Sequence, residues 1–141
     1  MPTFSLLEQP TTSLPEVLAL YTAVGWSAYT EKPDSLRHAL QNSAYVVVAR
    51  GEDGALIGLA RAISDDATIC YLQDVVVHPA HQRRGIGRAL VDAVLRRFDH
   101  VRQTVLLTDD EPGQRAYYES LGLTEATEMD PGPLRAFVTL R

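Results

Sequence analysis

The spacing of apolar residues along this chain switches between a helical and a strand period, and each switch marks an element. Leu14, Val17, Leu18 and Tyr21 recur at helical spacing, with Ser13 before them as an N-cap and Gly25 closing the stretch. A second helix is predicted to open at Pro33, since a first turn does not need the missing N–H, and to carry Leu36, Ala39 and Leu40. Trp26 to Lys32, between the two, reads as a loop. Thr3 to Leu7 predicts a short first strand. Strands follow at Tyr45 to Arg50, at Ala55 to Ile63 after the turn Glu52-Asp53-Gly54, and at Thr68 to Val77 after Asp65-Asp66.

The period returns to helical from about Gly85 to Phe98. Ile86, Leu90, Ala93, Val94 and Phe98 form one face there, while Arg88, Asp92 and Arg96 fall away from it. Thr104 to Leu107 predicts a short buried strand, and Pro112 to Leu121 a helix stopped by Gly122. Weaker strand patterns close the chain at Leu123 to Glu128 and Leu134 to Leu140. This order predicts a mixed α/β fold: an antiparallel meander, then a strand–helix–strand crossover whose two strands lie parallel.

Composition adds bounds. A length of 141 residues suits a single domain over 1–141, with a core that needs no disulfide or metal staple. One cysteine, Cys70, excludes an intrachain disulfide and fits a reducing compartment. No apolar run approaches the roughly 18 residues of a membrane span, and no signal-peptide pattern stands at the start, so a cytoplasmic location is expected. The net charge of -5 argues against a general nucleic-acid binder. Yet Arg83, Arg84, Arg88, Arg96 and Arg97 fall in one short stretch, which predicts a local site for an anion.

That stretch begins with Val75-Val76-Val77-His78-Pro79-Ala80-His81-Gln82-Arg83-Arg84-Gly85-Ile86-Gly87-Arg88, a strand passing through a loop into a helix. The first turn of a helix has amides without internal partners, and the helix dipole favours an anion beside them. Gly85 and Gly87 keep side chains out of the way, and Arg83, Arg84 and Arg88 add charged donors. A diphosphate suits this chemistry. Two rival phosphate motifs fit worse: a P-loop needs a closing Gly-Lys-Ser/Thr that is not present, and a dinucleotide fingerprint needs a third glycine or alanine where Leu90 stands.

Gln82-Arg83-Arg84-Gly85-Ile86-Gly87 resembles the Gln/Arg-x-x-Gly-x-Gly/Ala motif of the GNAT family of N-acetyltransferases. Ala116-Tyr117-Tyr118-Glu119-Ser120-Leu121-Gly122-Leu123 is similar to a second stretch of that family, in the same order along the chain. The resemblance covers about two thirds of the sequence. It implies an N-acetyltransferase using acetyl-CoA as co-substrate, with no metal. The acceptor it implies is a small-molecule or peptide amine, attacked directly in a ternary complex. Homodimers are common among such proteins, though no residue here demonstrates one.

The resemblance also assigns residues. Val75, Val76 and Val77 match strand residues whose backbone pairs with the pantetheine arm, as an added strand would. A backbone N–H there can polarise the thioester carbonyl. Gln82, Arg83, Arg84, Gly85, Ile86, Gly87 and Arg88 match the diphosphate loop, and Tyr118 the acid that protonates the leaving thiolate. The general base departs from the pattern, because Leu106 stands where many relatives carry glutamate. Asp74 is the nearest carboxylate; a water placed by Gln73 or a chain of waters would also serve. Strand alternation sets Asp74 and Gln73 on opposite faces, so one of them at most would line a given pocket. Near Glu111, where some relatives carry asparagine, Asp109, Asp110 and Glu111 make an acidic rim that suits a cationic amine. Trp26 and Tyr29 are either an aromatic wall for the acceptor or a packing cluster. His78 and His81 read as loop surface and Cys70 as a buried small residue. Three alternatives remain: a longer acyl-CoA or a hydroxyl acceptor, a non-catalytic acyl-CoA sensor, and a nucleotide-binding module.

Overall fold

A computed structural model describes residues 3–141. They fall into two compact units, residues 3–107 and 108–141. The first holds a five-stranded sheet in sequence order: β1 Phe4–Glu8, β2 Tyr45–Gly51, β3 Leu56–Ser64, β4 Ile69–Val77 and β5 Gln103–Leu106. Neighbours from β1 to β4 are antiparallel, and β5 lies parallel to β4. The parallel pair is joined by helix α4, Ile86–Arg97, as the pattern predicts.

Two helical layers cover the sheet. Helix α1, Leu14–Ala23, starts with a capping box in which Ser13 Oγ accepts from the Glu16 amide and Glu16 accepts from the Ser13 amide. Its Val17, Leu20 and Tyr21 pack with Leu36 of α3, Pro33–Gln41, onto Val48, Leu59 and Val76 of the sheet. The residues between α1 and α3 form a short helix α2, Ser27–Thr30, where a loop is expected. Tyr21, Trp26 and Tyr29 pack ring to ring at 5.4–6.0 Å between centroids, and that apolar contact folds the connection into a turn of helix.

The opposite face is covered by α4, whose Ile86, Leu90, Val91 and Val94 are buried. The approach is close at Gly58 of β3. A Cβ there would stand 2.9 Å from Ile86 Cγ2 and 3.0 Å from Leu90 Cδ1, so only glycine lets the first turns of α4 sit this near the strand.

In the second unit, helix α5, Pro112–Ser120, ends at Gly122, whose φ is 93°. Leu123 N donates to Tyr118 O and Gly122 N to Glu119 O, the paired bonds of a glycine-terminated helix. The two closing strands expected from the pattern do not form. Residues Ala126–Glu128 make a 3-10 turn, and residues 134–140 pair with no strand. Arg115 explains the first: it holds Glu119, Glu125 and Glu128 at 2.6–3.0 Å. Two carboxylates three residues apart reach one guanidinium from a 3-10 turn, whereas a strand would turn them to opposite faces. In the second segment Leu134, Phe137, Val138 and Leu140 are exposed, so the alternation of the sequence meets no buried surface there.

Candidate active site

The geometry of the site starts where two ladders change. Strand β5 pairs with β4 only from Ile69–Gln103 to Leu72–Leu106. Gln73 to Val77 therefore present a backbone edge to which β5 adds no partner, about 16 Å long at a strand's rise. Across the other ladder Arg61 pairs with Asp74, but Ala62 pairs with Leu72. Gln73 is thus the extra residue of a β-bulge. The bulge and the opening of the sheet coincide.

A bulge resets alternation, and this corrects the expectation that Gln73 and Asp74 face opposite ways. Both reach the same hydroxyl: Tyr29 Oη donates to Asp74 Oδ1 at 3.0 Å and accepts from Gln73 Nε2 at 3.2 Å. Gln73 is exposed, while Asp74 is 2% exposed. Asp74 Oδ2 also accepts from Tyr21 Oη at 3.0 Å and from Arg61 Nε at 2.5 Å. Burial, then the neighbouring Asp74 charge, push the Tyr21 phenol far above its ordinary range. The carboxylate expected to take a proton is filled by three donors.

Arg61 and Tyr21 were not singled out by the sequence pattern. A signal existed: Arg61 interrupts the apolar run Ile57 to Ile63, and a charge inside a buried strand needs a partner on a neighbouring one. Trp26 and Tyr29 belong to the packing cluster described above, with the Tyr29 ring beside the Arg61 guanidinium at 5.9 Å.

Beyond the edge, the chain turns toward α4. Val76 points into the core at 1% exposure, and Val75 and Val77 are half-buried on the face of α4. His78 Nδ1 accepts from the Ala80 amide and caps the 3-10 turn Pro79–His81, so its ring serves the loop. Gln82 Nε2 reaches back to Val77 O at 3.4 Å, and Arg84 lies 3.3 Å from His81 Nδ1. Arg83 and Gly85 take left-handed φ of 65° and 80°. Gly85 is the N-cap of α4 and supplies no side-chain cap, so the first-turn amides of Ile86 and Gly87 have no acceptor within the helix. Gln82, Arg83, Arg84 and Gly85 are exposed around that turn. Polar amides and guanidinium donors beside a helix N-terminus receive an anion.

Tyr118 lies on α5 in the second unit, half-buried, its ring edge-on to Tyr117 at 5.0 Å. Burial raises its phenol above the ordinary tyrosine range. Leu106 ends β5, half-buried, and Asp109, Asp110 and Glu111 are all exposed. Cys70 is buried on β4, which pushes its thiol up to about 11.

Comparison with known proteins places this geometry. The sequence matches the acetyltransferase (GNAT) family over residues 11–123. A mycothiol acetyltransferase of Clavibacter michiganensis subsp. michiganensis is 42% identical over 84 residues, which are 60% of this chain and 27% of that protein. The chain therefore spans about a quarter of that relative. The structure of a GNAT-family acetyltransferase from Streptococcus pneumoniae TIGR4 superposes with a TM-score of 0.84 at 29% identity, over 98% of each chain. Aminoglycoside N-acetyltransferase AAC(6')-Iy, solved in complex with CoA, superposes with a TM-score of 0.71 over 98% of this chain and 94% of that one. At 18% identity the second likeness is one of fold. A sheet that opens between parallel strands, a helix without a side-chain N-cap behind an arginine loop and a family match over residues 11–123 lead to one conclusion: the chain belongs to the GNAT family of acetyltransferases.

Proposed function

We propose that residues 1–141 act as one N-acetyltransferase domain that moves an acetyl group from acetyl-CoA to a primary amine. One observation carries the donor half: the unpaired edge Gln73–Val77 runs into the loop that ends at the uncapped first turn of α4. An extended arm with amide groups suits the first part and a diphosphate the second, and CoA joins the two in that order. Val75, Val76 and Val77 offer backbone to the arm. Gln82, Arg83, Arg84, Gly85, Ile86, Gly87 and Arg88 form the cradle for the diphosphate.

The amine lone pair attacks the thioester carbon, a backbone N–H of β4 steadies the oxyanion, and the C–S bond breaks from the tetrahedral intermediate. Tyr118 gives the thiolate its proton, supported by its match to the family segment and by the burial that keeps its phenol neutral. The ammonium gives one proton to water before attack, the nitrogen gives a second to water as the tetrahedral intermediate collapses to the amide, and Tyr118 regains its proton from solvent. Asp74 serves this reaction as the anchor of Tyr29, with its oxygens bonded to Arg61, Tyr21 and Tyr29. The net charge of -5 and the acidic residues 109–111 favour a cationic acceptor, and the single cysteine suits a cytoplasmic enzyme.

The same filled carboxylate favours a second reading, an acyl-CoA sensor without turnover. Thermal unfolding with acetyl-CoA, CoA, ADP and NAD tests the donor site. A ligand at 100 times its Kd stabilises by about 2.7 kcal/mol, a rise of roughly 5 °C or more in a domain of this size. CoA species are expected to stabilise well beyond ADP and NAD; equal shifts would sink the assignment. Release of CoA with an amine panel then separates enzyme from sensor.

A further inference from the structure

We propose that the carbonyl Oε1 of Gln73 receives an N–H of the incoming amine and orients it for attack, a role that rests on the acetyltransferase reading above. The direction of its amide follows from counting protons. Arg61 carries only donors, and the Asp74 carboxylate paired with it carries only acceptors. Tyr21 and Tyr29 therefore each spend their one phenolic proton on Asp74. Toward Gln73, 3.2 Å away, Tyr29 Oη has only lone pairs left to offer. Gln73 must present its NH₂ group there, which turns Oε1 away from Tyr29.

The position of that oxygen gives it a use. Gln73 is exposed and lies on the bulge, at the first residue of β4 beyond its ladder with β5. Its side chain meets Tyr29, on the face of the sheet opposite α4. An acceptor oxygen with a set direction thus stands at the entrance of the opened edge. A primary amine that has given its extra proton to water keeps two N–H bonds. One is held by Gln73 while the lone pair forms the new C–N bond; the proton of the other passes to water as the intermediate collapses, and the thiolate departs as described. Arg61, Asp74 and Tyr29 act through Gln73, so they are positioning residues, and the ligand class that the site selects is a nucleophile with N–H to donate.

Steady-state kinetics on the full chain tests this, with acetyl-CoA against spermidine, tyramine, kanamycin and a lysine-containing peptide, the best of these then being used for the variants. Gln73→Met is expected to raise the amine KM about tenfold, the worth of one hydrogen bond, with the acetyl-CoA KM unmoved. Tyr29→Phe should raise the amine KM by less, and should add nothing in the Gln73→Met background, because it acts through the same amide. Melting curves check that the variants fold, which the exposure of Gln73 favours. Independent losses from the two substitutions, a parallel rise in the acetyl-CoA KM, or an unchanged amine KM in a turning-over enzyme would overturn this proposal alone. A wild type that acetylates none of the amines overturns it together with the transferase reading, and retained stabilisation by acetyl-CoA would then leave the sensor.

Discussion

Arg61 and Asp74 face each other across the β3–β4 ladder as an ion pair whose side chains are 7% and 2% exposed. Removing one partner strands the other charge in the interior. Asp74→Asn is expected to cost about 3–5 kcal/mol, seen as a lower midpoint in urea. The joint change Arg61→Met with Asp74→Leu should restore part of it, since no charge is then left behind, while the buried Tyr21 hydroxyl still loses its acceptor. A loss below about 1 kcal/mol for Asp74→Asn would mean that the pair is not buried as described. An inactive Asp74 variant is therefore no proof of a general base unless its fold is measured alongside.

Gly58 ties core packing to the proposed cofactor site, because the atoms nearest its missing Cβ belong to Ile86 and Leu90, in the first turns of α4. Gly58→Val should destabilise by about 1–3 kcal/mol through overpacking. Since the displaced turn belongs to the proposed diphosphate cradle, acetyl-CoA affinity should fall as well. Calorimetric titration against melting temperature would decide: unchanged affinity in a destabilised variant would separate the strand from the loop.

Tyr118→Phe is expected to lower kcat by about a hundredfold while leaving the acetyl-CoA shift in melting temperature intact. The sign of its pH dependence follows from burial. An acid must hold its proton to work, and burial raises this phenol above its usual 10.0, so the fall in rate on losing that proton should lie at still higher pH. A wild-type profile that already collapses well below pH 10 would implicate another group.

Glu16 joins the capping box of α1 to Arg50 of β2, whose Nη1 lies 2.8 Å away. The Arg50 bonds, then that to the Ser13 amide, hold the Glu16 carboxyl at about 2 rather than 4.5. A lowered folded-state value stabilises above the unfolded one, so this contribution is complete above pH 4.5 and is lost as pH falls toward about 2. Glu16→Gln should flatten that acid limb in melts between pH 2 and 6, although other carboxylates keep part of it. Ser13→Ala should cost about 1 kcal/mol at neutral pH.

Elements with a local cause were legible in the sequence. Ser13 and Pro33 start helices where their chemistry dictates, and the arginine loop precedes the α4 turn as its composition predicts. Features that depend on another part of the chain were not. The bulge at Gln73 has no local mark, because it arises from how β4 is registered against β3. Helix α2 follows from ring contacts with Tyr21, and the turn at Ala126–Glu128 from ion pairs to Arg115. The strand pattern at Leu134 to Leu140 is real as a pattern, but alternation makes a strand only when something pairs with it.

Cys70 sits between Ser64 of β3 and Thr104 of β5, within the four-pair ladder that precedes the opening. As the one thiol of the chain, buried and raised to about 11, it is a chemical clock already in place. A thiol reagent will modify it only as fast as the sheet parts beside β5, so its labelling rate times that motion without any engineered probe. A molecule that occupies the neighbouring edge should slow the clock.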